Sequence, residues 1–108
     1  MPTYSNNSYA VKDVSTSGSV AISSIASGTV AVSSLILANT GASPITVSAY
    51  ITRSSVNYYL VYQATVPVGG SLEAIQGNRV VLKTSDSLSV VSGTATSCDA
   101  FISALTAT

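Results

Sequence analysis

Few side chains in this sequence can do chemistry. The carboxylates are Asp13, Glu73, Asp86 and Asp99, the cations are Lys12, Arg53, Arg79 and Lys83, one thiol is present at Cys98, and histidine is absent. Without imidazole no Ser-His-Asp or Cys-His relay can be assembled within the chain, and the commonest metal ligand is missing. The carboxylates sit in separate segments, at no spacing that makes a calcium loop or a carboxylate dyad. Asp86, after Ser85 in a tight connection, is expected to form a turn in which its carboxylate bonds local backbone amides. Cys98 can neither close an intrachain disulfide nor build a zinc site alone, and with no base nearby to lower its pKa it is expected to be inert. Gly69-Gly70-Ser71 lacks the Lys and the following helix of a phosphate-cradling loop. These residues predict no catalytic, metal or cofactor site.

The same scarcity bounds the partners. Charged residues make up 7% of the 108 residues, against roughly 25% in an average soluble protein. Net charge is zero and the pI is near 5.9, so no basic field exists to neutralise phosphates, and direct nucleic-acid binding is not expected. A hydrophobic content of 46% with mean hydropathy +0.48 is too apolar for intrinsic disorder. The most apolar run, Val30 to Ala38, is broken by Ser33 and Ser34 and is far short of the roughly 20 residues of a membrane-spanning helix. Met1-Pro2-Thr3-Tyr4-Ser5-Asn6-Asn7 has neither the charged region nor the apolar run of a secretory signal, so export by that route and a membrane partner are not expected.

What remains is a chain built for strands. Ser and Thr supply 33 of the 108 residues (21 Ser and 12 Thr), and Val, Ile and Tyr supply 27 more (14, 7 and 6), so that Thr, Val, Ile and Tyr make a strand-forming composition. Turn chemistry recurs at Asn39-Thr40-Gly41 with Pro44, Arg53 to Asn57, Pro67 with Gly69-Gly70, Gln76-Gly77-Asn78, Thr84-Ser85-Asp86 and Ser92-Gly93-Thr94. Between these lie seven candidate strands: Thr29 to Ala38, Ile45 to Thr52, Tyr58 to Thr65, Ser71 to Ile75, Arg79 to Lys83, Leu88 to Val91 and Cys98 to Leu105. The spacing predicts an all-β fold, a single antiparallel β-sandwich of about seven or eight short strands, Ig-like or jelly-roll-like, with an extended N-terminal arm.

Ile45, Val47, Ala49 and Ile51 alternate with Thr46, Ser48, Tyr50 and Thr52, which marks the first set as core. With Ser55-Val56 at the hairpin tip, residue 51 pairs with 60 and 49 with 62. Tyr58, Leu60 and Tyr62 then share the core face, while Tyr50, Tyr59 and Val61 point outward. Tyr is enriched at protein interfaces, so Tyr50 and Tyr59 are candidate interface anchors and Tyr62 a core residue. Residues 17 to 25 recur conservatively as residues 27 to 35, from Ser-Gly-Ser-Val-Ala-Ile to Ser-Gly-Thr-Val-Ala-Val. The repeat predicts a strand in which Val20, Ile22 and Ile25 add to a sheet edge of this chain or of a neighbour. Residues 1–28 are therefore expected to form an N-terminal arm or extra strand outside a sandwich domain of residues 29–108.

The order and spacing of Ser33-Ser34-Leu35-Ile36-Leu37-Ala38-Asn39-Thr40-Gly41, Ile45-Thr46-Val47 to Tyr50-Ile51-Thr52-Arg53, Tyr58-Tyr59-Leu60-Val61, Val66-Pro67-Val68-Gly69-Gly70-Ser71-Leu72 and Leu82 to Leu88-Ser89-Val90 resemble small virion structural proteins of tailed double-stranded DNA phages. That resemblance spans about three quarters of the chain and brings no catalytic motif. It implies a non-enzymatic component of the virion, assembled in the host cytoplasm: a capsid decoration (cement) or neck protein docking on major capsid, portal or connector, or tail proteins, and self-associating, with a trimer as first expectation. A tail, baseplate or fibre module, a carbohydrate-binding or adhesin-like sandwich and a secreted structural subunit are the alternatives. The missing Trp speaks against sugar stacking.

Overall fold

A computed structural model describes residues 4–22, 28–75, 80–94 and 96–107. Its strands are β1 (Tyr4–Val11), β2 (Ser19–Ile22), β3 (Thr29–Asn39), β4 (Ile45–Arg53), β5 (Val56–Val66), β6 (Ser71–Glu73), β7 (Val80–Leu82), β8 (Ser87–Ser92) and β9 (Cys98–Ala107). All pairings are antiparallel and form two sheets. One runs β1-β9-β3-β6, with β7 also paired to β3, and the other runs β2-β8-β4-β5. The chain passes repeatedly from one sheet to the other, because each sheet has one apolar face and can bury it only against its counterpart.

Each predicted strand has its counterpart among β3 to β9, displaced by no more than two residues at either end. The core between the sheets is aliphatic: Val30, Val32, Leu35 and Leu37 of β3, Ile45, Val47, Ala49 and Ile51 of β4, Leu88 and Val90 of β8, and Cys98, Ala100, Ile102 and Ala104 of β9 are all buried. The predicted β4 core face is thus the observed one.

Two expectations need correction. The first concerns residues 1–28, expected as an arm or an extra strand: residues 4–22 take the extra-strand form, paired within this chain rather than standing apart as an arm. Strand β1 pairs with β9 along its whole length, from Tyr4 opposite Ala107 to Val11 opposite Ala100, and β2 pairs with β8. Val14 and Ile22 are core residues, and the Val14 and Cys98 main chains are joined by a 2.7 Å hydrogen bond, Val14 N–H to Cys98 C=O. A β-strand at a sheet edge exposes much of its side-chain surface, so its Ser and Asn content imitates that of a mobile arm.

The second correction is the β4–β5 register. Near the base it is the predicted one, with Ile45 opposite Val66 and Val47 opposite Ala64. Toward the tip, Ala49 faces Val61, Tyr50 faces Tyr59 and Ile51 faces Tyr58. Strand β5 therefore carries two extra residues, one at Leu60 and one in the Tyr62-Gln63 pair. Gln63 has φ 49°, and its amide donates to the buried Ser48 hydroxyl at 2.9 Å. Each bulge reverses the in-out phase of the strand, so Tyr62 is exposed rather than core; beyond the second bulge the phase is restored, and Tyr58 lies opposite core Ile51 but is 56% exposed near the hairpin tip, while Leu60 is half-buried against the core cluster. The tip itself is Ser54-Ser55, both at positive φ, the twist that two-residue hairpin loops need.

Candidate assembly surface

Three of the four carboxylates, Glu73, Asp86 and Asp99, are engaged in holding the fold. Glu73 accepts from the Ser34 hydroxyl and the Leu35 amide, both at 2.8 Å, beside the irregularity between Val32 and Ser34 of β3. Asp99 accepts from the Asp13 amide at 3.0 Å and from Lys12 at 3.1 Å; these bonds, the amide first, hold its carboxyl below the usual carboxylate range. Asp86 is the buried one of the set. It accepts from Arg53 Nε at 3.0 and 3.1 Å, from Arg53 Nη2 at 2.6 Å and from the Lys83 amide at 2.9 Å. The amide bond is the local turn contact expected from the sequence, whereas Arg53 arrives from the end of a strand distant in sequence. Arg53 holds the Asp86 carboxyl low against the opposing effect of burial. Among the described residues no three metal-ligating side chains come together.

Cys98 is fully buried, and desolvation, with Asp99 beside it, pushes its thiol up to about 11. A buried neutral thiol is neither a nucleophile nor a ready disulfide partner. An aromatic disulfide reagent at neutral pH is therefore expected to leave Cys98 unmodified in the folded protein and to titrate one thiol after denaturation; rapid native labelling would contradict this placement.

Beyond these polar contacts, the most prominent surface feature of the described residues is aromatic. Tyr9 packs partly buried against the core, whereas Tyr58, Tyr59, Tyr62 and Phe101 are 56%, 49%, 64% and 49% exposed. On the outer face of the four-stranded sheet, Val20 lies opposite Ser89, Ser89 opposite Tyr50 and Tyr50 opposite Tyr59. This cross-strand row joins three of the residues singled out in the sequence, Val20, Tyr50 and Tyr59. The Tyr50 and Tyr59 rings are 5.2 Å apart and tilted by 51°, and Tyr59 meets Tyr62 edge-on at 4.9 Å, both favourable aromatic geometries. Tyr59 and Tyr62, three apart, would face opposite ways on a regular strand; the bulge between them is what joins their rings.

Of the other candidates, Ile22 is in the core opposite Leu88, because the irregularity between Val20 and Ile22 puts these two residues on opposite faces, and Ile25 lies outside the described residues. Sequence reasoning missed Tyr62, hidden by the bulge, and Gly18. At Gly18, φ is +110° and a Cβ would stand 3.3 Å from the Tyr50 hydroxyl, so glycine lets the chain pass beside Tyr50. It also missed the opposite surface. On the outer face of the five-stranded sheet, Ala10, Phe101 and Ile36 form a row beside a shallow hollow of about 260 Å³ that Lys12 and Asp99 also line. The strict in-out alternation of β9 carried that signal.

No protein-family model and no curated protein sequence matches the chain. Among solved structures, it is similar to a chain from Bacillus endospore appendages, described as a novel family of disulfide-linked pili, with a TM-score of 0.55 and 15% identity over 99% of this chain and 88% of that one. It is also similar to chains of infectious bursal disease virus: the Gx strain (TM-score 0.56, 14% identity, 98% of this chain and 33% of that one) and the VP2 subviral particle (TM-score 0.56, 13% identity, 98% and 32%). The protein thus spans about a third of the length of those viral chains. At such identities the likeness is one of fold: this is a two-sheet β-sandwich similar to parts of those viral-particle chains and to the appendage chain.

Proposed function

We propose that this chain is a non-enzymatic structural subunit of a tailed-phage virion, a capsid decoration or neck protein that docks on other virion proteins through its tyrosine-bearing face. The observation that carries this reading is the exposed tyrosine cluster, in which the rings of Tyr59 and Tyr62 pack with that of Tyr50 on the surface over an aliphatic core. Large rigid aromatics at the surface of a nearly uncharged protein are what a packed interface uses and what a solitary soluble domain avoids. The ordered strand and turn segments that resemble small phage virion proteins add the particle type, and the sandwich likeness to viral chains is compatible with it.

A second reading, a subunit of a surface fibre, is favoured by the two-way coverage with the Bacillus appendage chain. Those pili are described as disulfide-linked, whereas buried Cys98 would leave this chain to assemble without covalent links. Mass spectrometry of purified particles and of detached cell-surface fibres from the source separates the two. Presence in virions at on the order of a hundred copies or more supports decoration, and a single ring's worth supports the neck. Recovery from fibres alone replaces the virion reading with the second.

A further inference from the structure

Most edges of the two sheets are guarded against further pairing. Strand β5 carries two bulges and the left-handed Gln63, β2 is four residues long with a register irregularity, and β6 and β7 are three residues each. Such devices keep edge strands from templating another chain. Strand β1 has none of them. It runs eight residues, Tyr-Ser-Asn-Asn-Ser-Tyr-Ala-Val, without a charge or a proline, its register with β9 is unbroken, and no described strand lies on its other side. A straight edge strand of this kind presents a row of backbone N–H and C=O groups, whose best partner is another extended strand.

We infer that β1 pairs antiparallel with β1 of a second copy across a two-fold axis, joining the two five-stranded sheets into one continuous sheet. An antiparallel edge is complementary to itself under such an axis, since each residue meets its counterpart's reach of the same strand. The axis also brings like side chains together, so any charge on β1 would be repelled by its own copy. Its neutrality, within a chain of zero net charge, removes that repulsion. In the register that keeps the core faces aligned and centres on Asn7, Asn7 meets Asn7 and Asn6 meets Ser8, pairs that hydrogen-bond across strands. This contact is separate from the tyrosine face and does not depend on it.

Sedimentation equilibrium of the full chain tests the inference, using N6K/S8K, which alters two exposed side chains, and Y59S. The wild type is expected at twice the 10.9 kDa chain mass, with β1 amides slow to exchange. N6K/S8K should dissociate at least about tenfold more readily, and mixing it with N6E/S8E should restore the dimer, which a folding defect could not do. A chain that stays monomeric at millimolar concentration with fast-exchanging β1 amides overturns the inference. So does a dimer or trimer whose mass survives N6K/S8K. If Y59S and not N6K/S8K dissolves the oligomer, the self-contact is the tyrosine face and the β1 pairing is wrong while the docking surface stands.

Discussion

A chain that begins at Thr29 is expected not to fold. Removing residues 1–28 takes away β1, and with it the whole register along one side of β9. It also removes β2 from the edge of β8 and the bonds Val14 N–H to Cys98 C=O and Ser92 N–H to Ser15 C=O. Val14 and Ile22 alone, both buried, are worth about 1.5–3 kcal/mol each on burial. Their loss, before any hydrogen bond is counted, is comparable with the lower end of the roughly 5–15 kcal/mol that holds a small domain together. The core above Cys98 and Val90 would be opened to water at the same time. Far-ultraviolet circular dichroism and thermal melting of the shortened chain check this. A cooperative melt within a few degrees of the full-length protein would mean that β1 and β2 are accessories to a self-sufficient seven-strand sandwich.

Asp86→Ala is the point substitution expected to cost most among the polar residues, about 2–3 kcal/mol. It removes the acceptor of three Arg53 contacts and of the Lys83 amide, while the Asp86 N–H to Lys83 C=O turn bond remains possible. The Arg53 side chain is half-exposed and can turn to water, which keeps the cost below that of breaking a fully buried pair. The pH dependence follows the same pair. The folded Asp86 carboxyl ionises below the usual range, chiefly through its bonds to Arg53, so its contribution is complete above the unfolded value of about 4 and is lost as pH falls through the lower folded value. Asp99, held low by the Asp13 amide and Lys12, adds to the same acid-side loss. Urea denaturation at a series of pH values is expected to show stability declining below about pH 4, less steeply in D86A. Parallel profiles for the two proteins would contradict the role given to this carboxylate.

The parts of the fold legible in the sequence are those where one residue corresponds to one step of the strand. Ile45, Val47, Ala49 and Ile51 alternate without interruption, and their face is the core face. Strand β5 was not legible in the same way, because its two bulges fall at Leu60 and Tyr62-Gln63, where no glycine or proline marks them. A left-handed Gln63 is stabilised by the Ser48 hydroxyl of the neighbouring strand, a contact no local pattern encodes. Tyr62 was misassigned for that reason, and Tyr59 was placed outward although its expected partner was two residues off. The polar strand β1 read as an arm because exposure at an edge and exposure in solvent leave the same composition. Asp86 was legible as a turn former, while its ion pair with Arg53 depends on how β4 and the β7–β8 connection meet in space.

The measurement closest to the central claim, that the outer tyrosines are an assembly surface, is the binding of Y59S to particles stripped of the wild-type protein, with its melting temperature recorded alongside. Tyr59 is about half exposed and its ring contacts Tyr50 and Tyr62, so the substitution should leave the isolated fold intact within about 1 kcal/mol. As an interface anchor it should weaken particle association by roughly 1–3 kcal/mol, about five- to 150-fold. Undiminished binding by a folded Y59S protein would contradict the account, as would a fall in binding that merely tracks unfolding.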